Sequence, residues 1–347
     1  MKPRWEATVA RPVLVMGDLN ADLVLGIPDR TVPTGERTVP EPRLFGGGTA
    51  GNTAAALGRL GVPVEFAGAI GDDGFGRHLA AELASAGVGL RGLVVSDAAP
   101  TCQVIAMVEP DGERYLVVWP GDMGALRHLR AGDVDPALVE GAAWLHTTGM
   151  CLRHPPVRDA VLAALRIARA AGVPSSLDLN LRIEVWGLSD EVRAVVEAAV
   201  HEASVVLGSA AEELVPLARA LGLPVTPAGD PHAAALALAR PGSGRTVIGR
   251  LGAGGAFAAL PDGTIVHAPG FPVEVRSTVG AGDAFDAGLV AALVAGLPMA
   301  DALRWGNATG ALKVARNGGA RDQPTRAEVE ALLSGRRGTA TARVPGA

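Results

Sequence analysis

The sequence is poor in aromatic residues, with five Trp, one Tyr and six Phe in 347 positions. Proteins that hold single-stranded nucleic acid stack its bases on aromatic side chains, and this chain has few of them. A formal net charge of −5 likewise provides no basic surface for nucleic acid or for anionic lipid. We therefore expect no nucleic-acid partner and no attachment to a membrane surface.

Cysteine is almost absent, since the chain has only Cys102 and Cys151. Two thiols cannot build a disulfide scaffold or a four-ligand zinc site, which indicates a reducing compartment. The longest stretch without a charged residue, Leu44–Gly58, has 15 residues and is too short and too rich in glycine to span a bilayer. The first residues lack the apolar segment of a signal peptide. These features together predict a cytoplasmic protein.

Glycine and proline, by contrast, are abundant at 46 and 25 residues, while 48% of the chain is hydrophobic. Short apolar runs of strand length alternate with helical segments, which predicts an α/β fold with a mostly parallel central sheet and helices on both faces. Two stretches, at about 22–45 and 101–120, interrupt this order with antiparallel strands. They predict either a small β-sheet lid over a cleft or an edge of the main sheet. We expect one domain over residues 11–334, with 1–10 and 335–347 as mobile tails.

The segment Gly280-Ala281-Gly282-Asp283 precedes an apolar helix predicted over Ala284–Ala295. Its backbone N–H groups can approach an anion at the positive end of that helix. Asp283 could cap the helix, or it could act as a general base while the amides hold a transferring phosphoryl group. The segment comes late in the chain and lacks the third glycine of a dinucleotide fingerprint, which disfavours an NAD-dependent oxidoreductase.

A second glycine-rich segment, Gly46–Gly48, precedes a helix predicted over Ala50–Leu60. Three consecutive glycines let backbone amides face a small polar ligand, and Asn52 adds one donor and one acceptor in the first turn. A flexible turn with an Asn cap is the alternative interpretation. Neither glycine-rich segment identifies a function by itself.

Taken together, the two segments resemble the two signatures of the ribokinase-like (PfkB) carbohydrate kinases. The matching residues are Gly47-Gly48-Xaa-Ala50-Xaa-Asn52 and, about 230 residues later, Ser277-Thr278-Xaa-Gly280-Ala281-Gly282-Asp283. Gly17–Asp22 and Ile70–Gly76 are similar to further family stretches, so the resemblance covers nearly the whole chain. It implies a ribokinase-like three-layer sandwich with a small β-sheet lid, and a reaction between ATP and a small sugar.

The resemblance also implies roles for single residues. Asp283 would be the catalytic base, and Gly280, Ala281 and Gly282 would form the anion hole. Sugar hydroxyls would be held by Asn20, Asp22, Gly47, Gly48 and Asn52. ATP would lie over Leu251, Gly252 and Gly254, with Asn307 and Ala311 beside the adenine.

Two positions depart from the family pattern and bear on metal ions. Mg²⁺ would be held through water by Glu212, although Ser209 replaces the Asn of the family's Asn-Xaa-Xaa-Glu pattern. A K⁺ site beside the anion hole would be weakened by Ser277, where many members carry Asp. The resemblance further implies a homodimer that pairs through the lid.

The substrate signals conflict with one another. Thr49 stands where ribokinases carry Lys, and Asp178-Xaa-Asn180-Xaa-Arg182 with Trp186 resembles fructokinases and 2-keto-3-deoxygluconate kinases. The lid-strand ending Val118-Trp119-Pro120-Gly121, in contrast, is closer to that of ribokinases and lacks the Tyr-Xaa-Arg expected for an acid sugar. In 2-keto-3-deoxygluconate kinases, Arg182 would face a sugar-acid carboxylate. The sequence therefore leaves open a ketohexose, a 2-keto-3-deoxy sugar acid or a pentose, phosphorylated on a primary hydroxyl. A nucleoside kinase and a non-catalytic sugar or nucleotide sensor are the alternatives.

Overall fold

The structure, a computed structural model, describes residues 11–27, 41–109, 114–121, 123–183, 187–225, 228–240, 242–316 and 322–335. Outside these residues lie the predicted tail at 1–10, the predicted tail at 335–347 except for Gly335, residues 28–40 and 110–113 of the two interrupting stretches, and Trp186. The strands of the described residues are β1 (Val13–Met16), β2 (Asn20–Gly26), β3 (Arg43–Gly47), β4 (Val64–Gly71), β5 (Val88–Ser96), β6 (Gln103–Val108), β7 (Arg114–Trp119), β8 (Trp144–Thr148), β9 (Ser175–Asp178), β10 (Val205–Ser209), β11 (Thr246–Arg250), β12 (Ala256–Ala259) and β13 (Ile265–Ala268).

The helices of the same residues are α1 (Thr49–Arg59), α2 (Gly74–Ser85), α3 (Pro136–Glu140), α4 (Val157–Ala170), α5 (Asp190–Glu202), α6 (Val215–Ala220), α7 (Pro231–Ala239), α8 (Ala281–Val294), α9 (Met299–Val314) and α10 (Arg326–Leu333). A turn of π-helix, Ala210–Leu214, leads into α6. None of the helices described is long and apolar enough to cross a membrane.

Across the described residues, nine strands form one large sheet in the order β13-β12-β11-β10-β9-β8-β1-β4-β5. Its pairs are parallel except at one edge, where β12 runs antiparallel to both β11 and β13. The buried side chains of β1 alternate between two cores, with Val13 and Val15 in one and Leu14 and Met16 in the other. A strand that is apolar on both faces needs helices on both sides, and this requirement produces the three layers.

Each core is closed by its own set of helices. The core that contains Val13 packs against α1, α2, α8, α9 and α10, while the core that contains Leu14 packs against α3 to α7. Alanine and leucine supply most of these contacts, so the helices approach the sheet closely with few aromatic side chains. The predicted sandwich with helices on both faces is confirmed.

A second, smaller sheet has the order β3-β2-β6-β7. It joins two antiparallel pairs, β2 with β3 and β6 with β7, through a parallel contact between β2 and β6. The two stretches that interrupt the β/α alternation therefore meet in a separate sheet, and do not extend an edge of the large one. Its strand β3 leads through Gly48 directly into α1, so this sheet lies next to the first glycine-rich segment.

Candidate active site

Polar side chains gather where the parallel strands end, at one edge of the large sheet. Asp18 follows β1, and Asp178, Ser209 and Arg250 are the last residues of β9, β10 and β11. The carboxyl ends of parallel strands are the usual position of ligand sites in α/β folds, because loops and helix N-termini converge there.

The second glycine-rich segment forms the start of α8, three residues earlier than predicted. Gly280 is the N-cap residue and has a φ of 74°, a conformation that side chains other than glycine rarely adopt. The N–H groups of Gly282 and Asp283 lie in the first turn, where no helical carbonyl can satisfy them. The segment therefore provides backbone hydrogen-bond donors for an anion at the positive end of a 14-residue helix.

Asp283 lies in this first turn and is only 7% exposed. Its carboxylate does not cap the helix but accepts a hydrogen bond from Asn52 Nδ2 at 2.8 Å. Burial, helped by the charges of Asp178 and Asp18, raises the pKa of Asp283 to about 7, against the lowering effects of Asn52 and Arg250. A carboxylate with a pKa near neutrality can take a proton at physiological pH.

The first glycine-rich segment brings Asn52 to this position. Gly48, with a φ of 89°, is the N-cap of α1, and Asp18 holds the start of this helix. The Asp18 carboxylate accepts hydrogen bonds from Thr49 N (2.8 Å), Thr49 Oγ1 (2.7 Å) and Ala50 N (3.2 Å). Asn52, one turn further, is 8% exposed and faces Asp283. Asn52 was predicted as a sugar ligand, which stays a prediction, and in the structure its amide donates to the carboxylate of Asp283.

A cluster of carboxylates stands at the base of the small sheet. Asp22 lies against Gly47, where a side chain would have no room, and its Oδ1 is buried without a hydrogen-bond partner. Burial and the charges of Asp18 and Glu82 raise the pKa of Asp22 to about 7. Glu82, on α2, is 3% exposed and accepts a hydrogen bond from Gly46 N at 2.9 Å. Such acceptors suit a ligand that donates hydroxyl groups.

Asn20 belongs to the same region, because it pairs with Gly47 in the register of β2 and β3. The structure thus places Asn20 and Asp22 against Gly47, next to Gly48 at the start of the helix that carries Asn52. Glu82 was not predicted. Only the packing of α2 against the small sheet reveals it, since nothing in the spacing of Glu82 from the glycines marks it as a neighbour.

Arg250 forms an ion-pair network beneath the Gly280–Gly282 loop, and the sequence did not reveal this network. Its Nη1 donates to Asp286 Oδ1 at 2.8 Å, and its Nη2 donates to Asp178 Oδ1 at 2.6 Å and lies 3.7 Å from Glu213 Oε2. A Cβ on Gly282 would come within 3.3 Å of Arg250 Nη1. The guanidinium therefore supports the loop from below and compensates the buried carboxylates of three elements.

The residues predicted to hold ATP lie in two elements, the turn that follows β11 and helix α9. Leu251 is 38% exposed and leads into a 3₁₀ turn over Gly252–Gly254. Asn307, on α9, donates hydrogen bonds to Ala268 O (3.0 Å) and Pro269 O (3.1 Å), so its amide N–H groups brace the end of β13. Ala311 follows one turn later and is half-buried.

The remaining predicted residues make their hydrogen bonds apart from these groups. Glu212 is exposed, and Ser209 Oγ donates to its carboxylate at 3.3 Å. Its neighbour Glu213 is the buried carboxylate, which accepts hydrogen bonds from Leu181 N (2.8 Å) and Ser209 N (2.7 Å). Arg182 is exposed and donates to Asn180 Oδ1 at 3.1 Å.

A magnesium site built mainly from protein ligands is not found in the residues that the structure covers, which contain no group of three or more His, Cys, Asp or Glu side chains suited to a metal. The exposed Glu212 is consistent with an ion that keeps most of its water ligands and bridges to phosphate, as Mg²⁺ commonly does.

Comparison with known proteins agrees with this geometry. The family model described as "pfkB family carbohydrate kinase" matches residues 11–326. The chain is 33% identical to an ATP-dependent ribose-1-phosphate kinase from Halopiger xanaduensis, over 93% of this chain and 98% of the relative. It is 31% identical to Fructokinase-1 from Zea mays, over 83% of this chain and 88% of the relative.

The fold is likewise similar to that of solved structures. A provisionally assigned ribokinase II from E. coli, in complex with ATP and Mg²⁺, superposes with a TM-score of 0.80 at 26% sequence identity. The superposition covers 93% of this chain and 99% of the E. coli chain.

Proposed function

This chain belongs to the pfkB family of carbohydrate kinases, and from that premise we propose that it transfers the γ-phosphoryl group of ATP to the primary hydroxyl of a small sugar. The observation that carries the proposal is the position of Asp283, a buried carboxylate with a pKa near 7 in the first turn of the anion-binding helix. A base and an anion hole on adjacent residues are what phosphoryl transfer to a hydroxyl requires.

In the proposed reaction, the sugar hydroxyl oxygen forms a bond to the γ-phosphorus while the bond from that phosphorus to the bridging oxygen of ADP breaks. Asp283 takes the hydroxyl proton. The N–H groups of the Gly280–Gly282 loop stabilise the negative charge on the phosphoryl oxygens. ATP would lie over the exposed turn after β11, where Glu212 would hold Mg²⁺ through water and the ion would supply positive charge to the phosphates. The K⁺ site implied beside Ser277 stays a prediction.

The substrate is proposed to be a neutral, hydroxyl-rich sugar. Asp22, which lies within reach of the charges of Asp18 and Glu82, gives the proposed sugar position an acidic environment that accepts hydrogen bonds from hydroxyls and disfavours anions. The related ribose-1-phosphate kinase by its name acts on a phosphorylated pentose and the related fructokinase on a ketohexose. Both substrate types therefore belong in the test.

The test is ATP turnover with a panel of fructose, ribose, ribose 1-phosphate, a 2-keto-3-deoxy sugar acid and adenosine, each with Mg²⁺. We expect the largest kcat/KM for a neutral sugar. A preference for adenosine would favour the nucleoside kinase, and binding of ligands without any ADP formation would favour the sensor.

Turnover should depend on pH through Asp283. Because the base must be ionised, kcat should rise about tenfold per pH unit below roughly pH 7 and level off above it. Asn52→Ala removes the hydrogen bond that lowers the pKa of Asp283. The acidic limb of the kcat–pH profile of this variant should therefore move to higher pH. Steady-state rates between pH 5.5 and 9 measure both effects. A flat profile for the wild type would contradict the assigned base.

Asp22→Asn should weaken sugar binding. Replacing a carboxylate that accepts sugar hydroxyls by an amide is expected to raise KM for the sugar by about 10- to 100-fold, while KM for ATP changes less than about twofold. The exposed Asp97→Asn is the matched control and should leave both constants unchanged. An unaltered KM for the sugar in Asp22→Asn would remove Asp22 from the binding site.

The small sheet is proposed to be a lid that pairs with the lid of a second copy. Its edge strand β7 exposes apolar side chains on both faces, since Leu116 and Val118 are 57% and 50% exposed and Trp119 on the other face is 52% exposed. An uncovered apolar edge strand favours pairing. Light scattering should give a dimer mass at about 10 µM, and Leu116→Lys with Val118→Lys should give a monomer. A monomeric wild type at that concentration would exclude this assembly.

A further inference from the structure

Lys313 is a buried basic residue that the proposed reaction has not yet used. It lies in the last turn of α9 and is 2% exposed. A Cβ built on Gly280 would lie 3.2 Å from Lys313 Cε, 3.6 Å from Asn52 Nδ2 and 3.7 Å from Asp283 Oδ2. The lysine side chain thus approaches the anion-hole loop from behind, at the point that the base and its hydrogen-bond donor also face.

The backbone fixes this approach. Val314 O, next to Lys313, accepts hydrogen bonds from Arg276 N (2.8 Å) and Ser277 N (3.1 Å). The last turn of α9 is therefore tied to the segment that enters the loop. Two helix ends meet here: the N-terminus of α8, which favours an anion, and the C-terminus of α9, which favours a cation.

A buried ammonium group is costly unless negative charge lies close to it. Burial lowers the pKa of Lys313, while the charges of Asp322 and Asp283 oppose that effect. The charged groups that act on Lys313 are Asp283 on α8, Asp322 before α10 and Arg316 after α9. Asp283 in turn is also influenced by the charges of Asp178, Asp18 and Arg250 and by the amide of Asn52.

We propose that Lys313 is a positioning residue of the kinase, whose ammonium group places a positive charge behind the Gly280–Gly282 loop and thereby favours both the ionised base and the phosphoryl group in the anion hole. This inference rests on the proposed function. Lys313 acts through the loop and through Asp283, and need not touch the substrates.

The test compares Lys313→Met with Lys313→Arg. Lys313→Met should move the acid limb of kcat upward by about one pH unit and lower the plateau kcat by about tenfold, with KM for the sugar within about twofold of wild type. Lys313→Arg keeps the charge and should restore the pH midpoint. Leu303→Ala, a buried apolar change on the same helix, should lower stability without moving the limb. An unmoved limb in Lys313→Met, or an equal shift in Leu303→Ala, would overturn the proposal.

A double-mutant cycle with Asp283→Asn, measured by the free energy of unfolding, separates this inference from the proposed function because it does not depend on turnover. At pH 8, Lys313→Met should destabilise the protein less in the Asp283→Asn background than in the wild type, since the carboxylate left without its cation is gone. If Lys313→Met alone does not fold, the double variant should recover a folded protein. Equal losses in both backgrounds, or a double variant that also fails to fold, would contradict the coupling even if every sugar is phosphorylated.

Discussion

Asp283→Asn should lower kcat by about three orders of magnitude while changing the Kd for ATP by less than about twofold. The amide cannot take the hydroxyl proton, yet it has the same shape, and its oxygen can still accept the hydrogen bond from Asn52. The anion hole consists of backbone groups, so ATP should bind as before. Coupled detection of ADP measures the rate, and calorimetry measures ATP binding.

The same substitution at Asp301, an exposed residue in the first turn of α9, is the control for a helix-start carboxylate and should keep wild-type turnover. Turnover of Asp283→Asn within tenfold of wild type would exclude Asp283 as the base.

Asp283→Asn should also stabilise the protein at alkaline pH. The pKa of Asp283 is raised from 3.8 in the unfolded chain to about 7 in the folded one, so folding is favoured by this group only while it is protonated. That contribution is lost as the pH rises from about 4 through 7. The free energy of unfolding of the variant should exceed that of the wild type by up to about 4 kcal/mol at pH 8 and by nothing below pH 4. A carboxylate that served as a helix cap would give the opposite sign.

Arg250→Met should be among the most destabilising single changes, by about 3–5 kcal/mol at pH 8. It leaves the carboxylates of Asp178, Asp286 and Glu213 buried without their cation. Burial raises the pKa of Asp286 and of Glu213, so these two groups protonate more readily at pH 5 and the loss should be smaller there. Urea unfolding at the two pH values measures the difference.

Two variants give this prediction its controls. Arg304→Met changes an exposed arginine of α9 and should shift the unfolding free energy by less than about 0.5 kcal/mol. Arg250→Lys retains the charge but not the planar fork that contacts Asp178 and Asp286 together, and should fall between wild type and Arg250→Met. A loss below about 1 kcal/mol for Arg250→Met at pH 8 would show that water compensates the carboxylates.

The parts of the fold that could be predicted are those in which a local pattern decides the outcome. Buried strands such as Val13–Met16 and the helix over Asp190–Glu202 follow from apolar runs and periodicity. Strand β12, Ala256–Ala259, could not be predicted because alanine has little strand preference. This segment forms a buried strand only because β11 and β13 pair with it on both sides. The start of α8 was placed three residues late because glycine has low helix propensity, while the packed loop holds it in the first turn.

The residues of the candidate site also differ in whether a local sequence pattern marks them. Glycines that bring backbone close to a ligand, and an acid beside them, leave a local signature, so Gly280, Gly282 and Asp283 could be recognised. Arg250, Glu213, Glu82 and Lys313 leave none. Arg250 binds Asp178, 72 residues away in the sequence, and Asp286, 36 residues away. Only the order of the strands and the packing of α8 bring these charges together.

The hydrogen bond between Asn52 and Asp283 joins residues 231 positions apart. During synthesis, Asn52 emerges from the ribosome long before Asp283. The Asn52 side chain on α1 therefore cannot bind the Asp283 carboxylate until α8 has been made. The proposed active centre therefore cannot form until both ends of this contact have been synthesised, and turnover by the proposed kinase would report that the two halves have packed together.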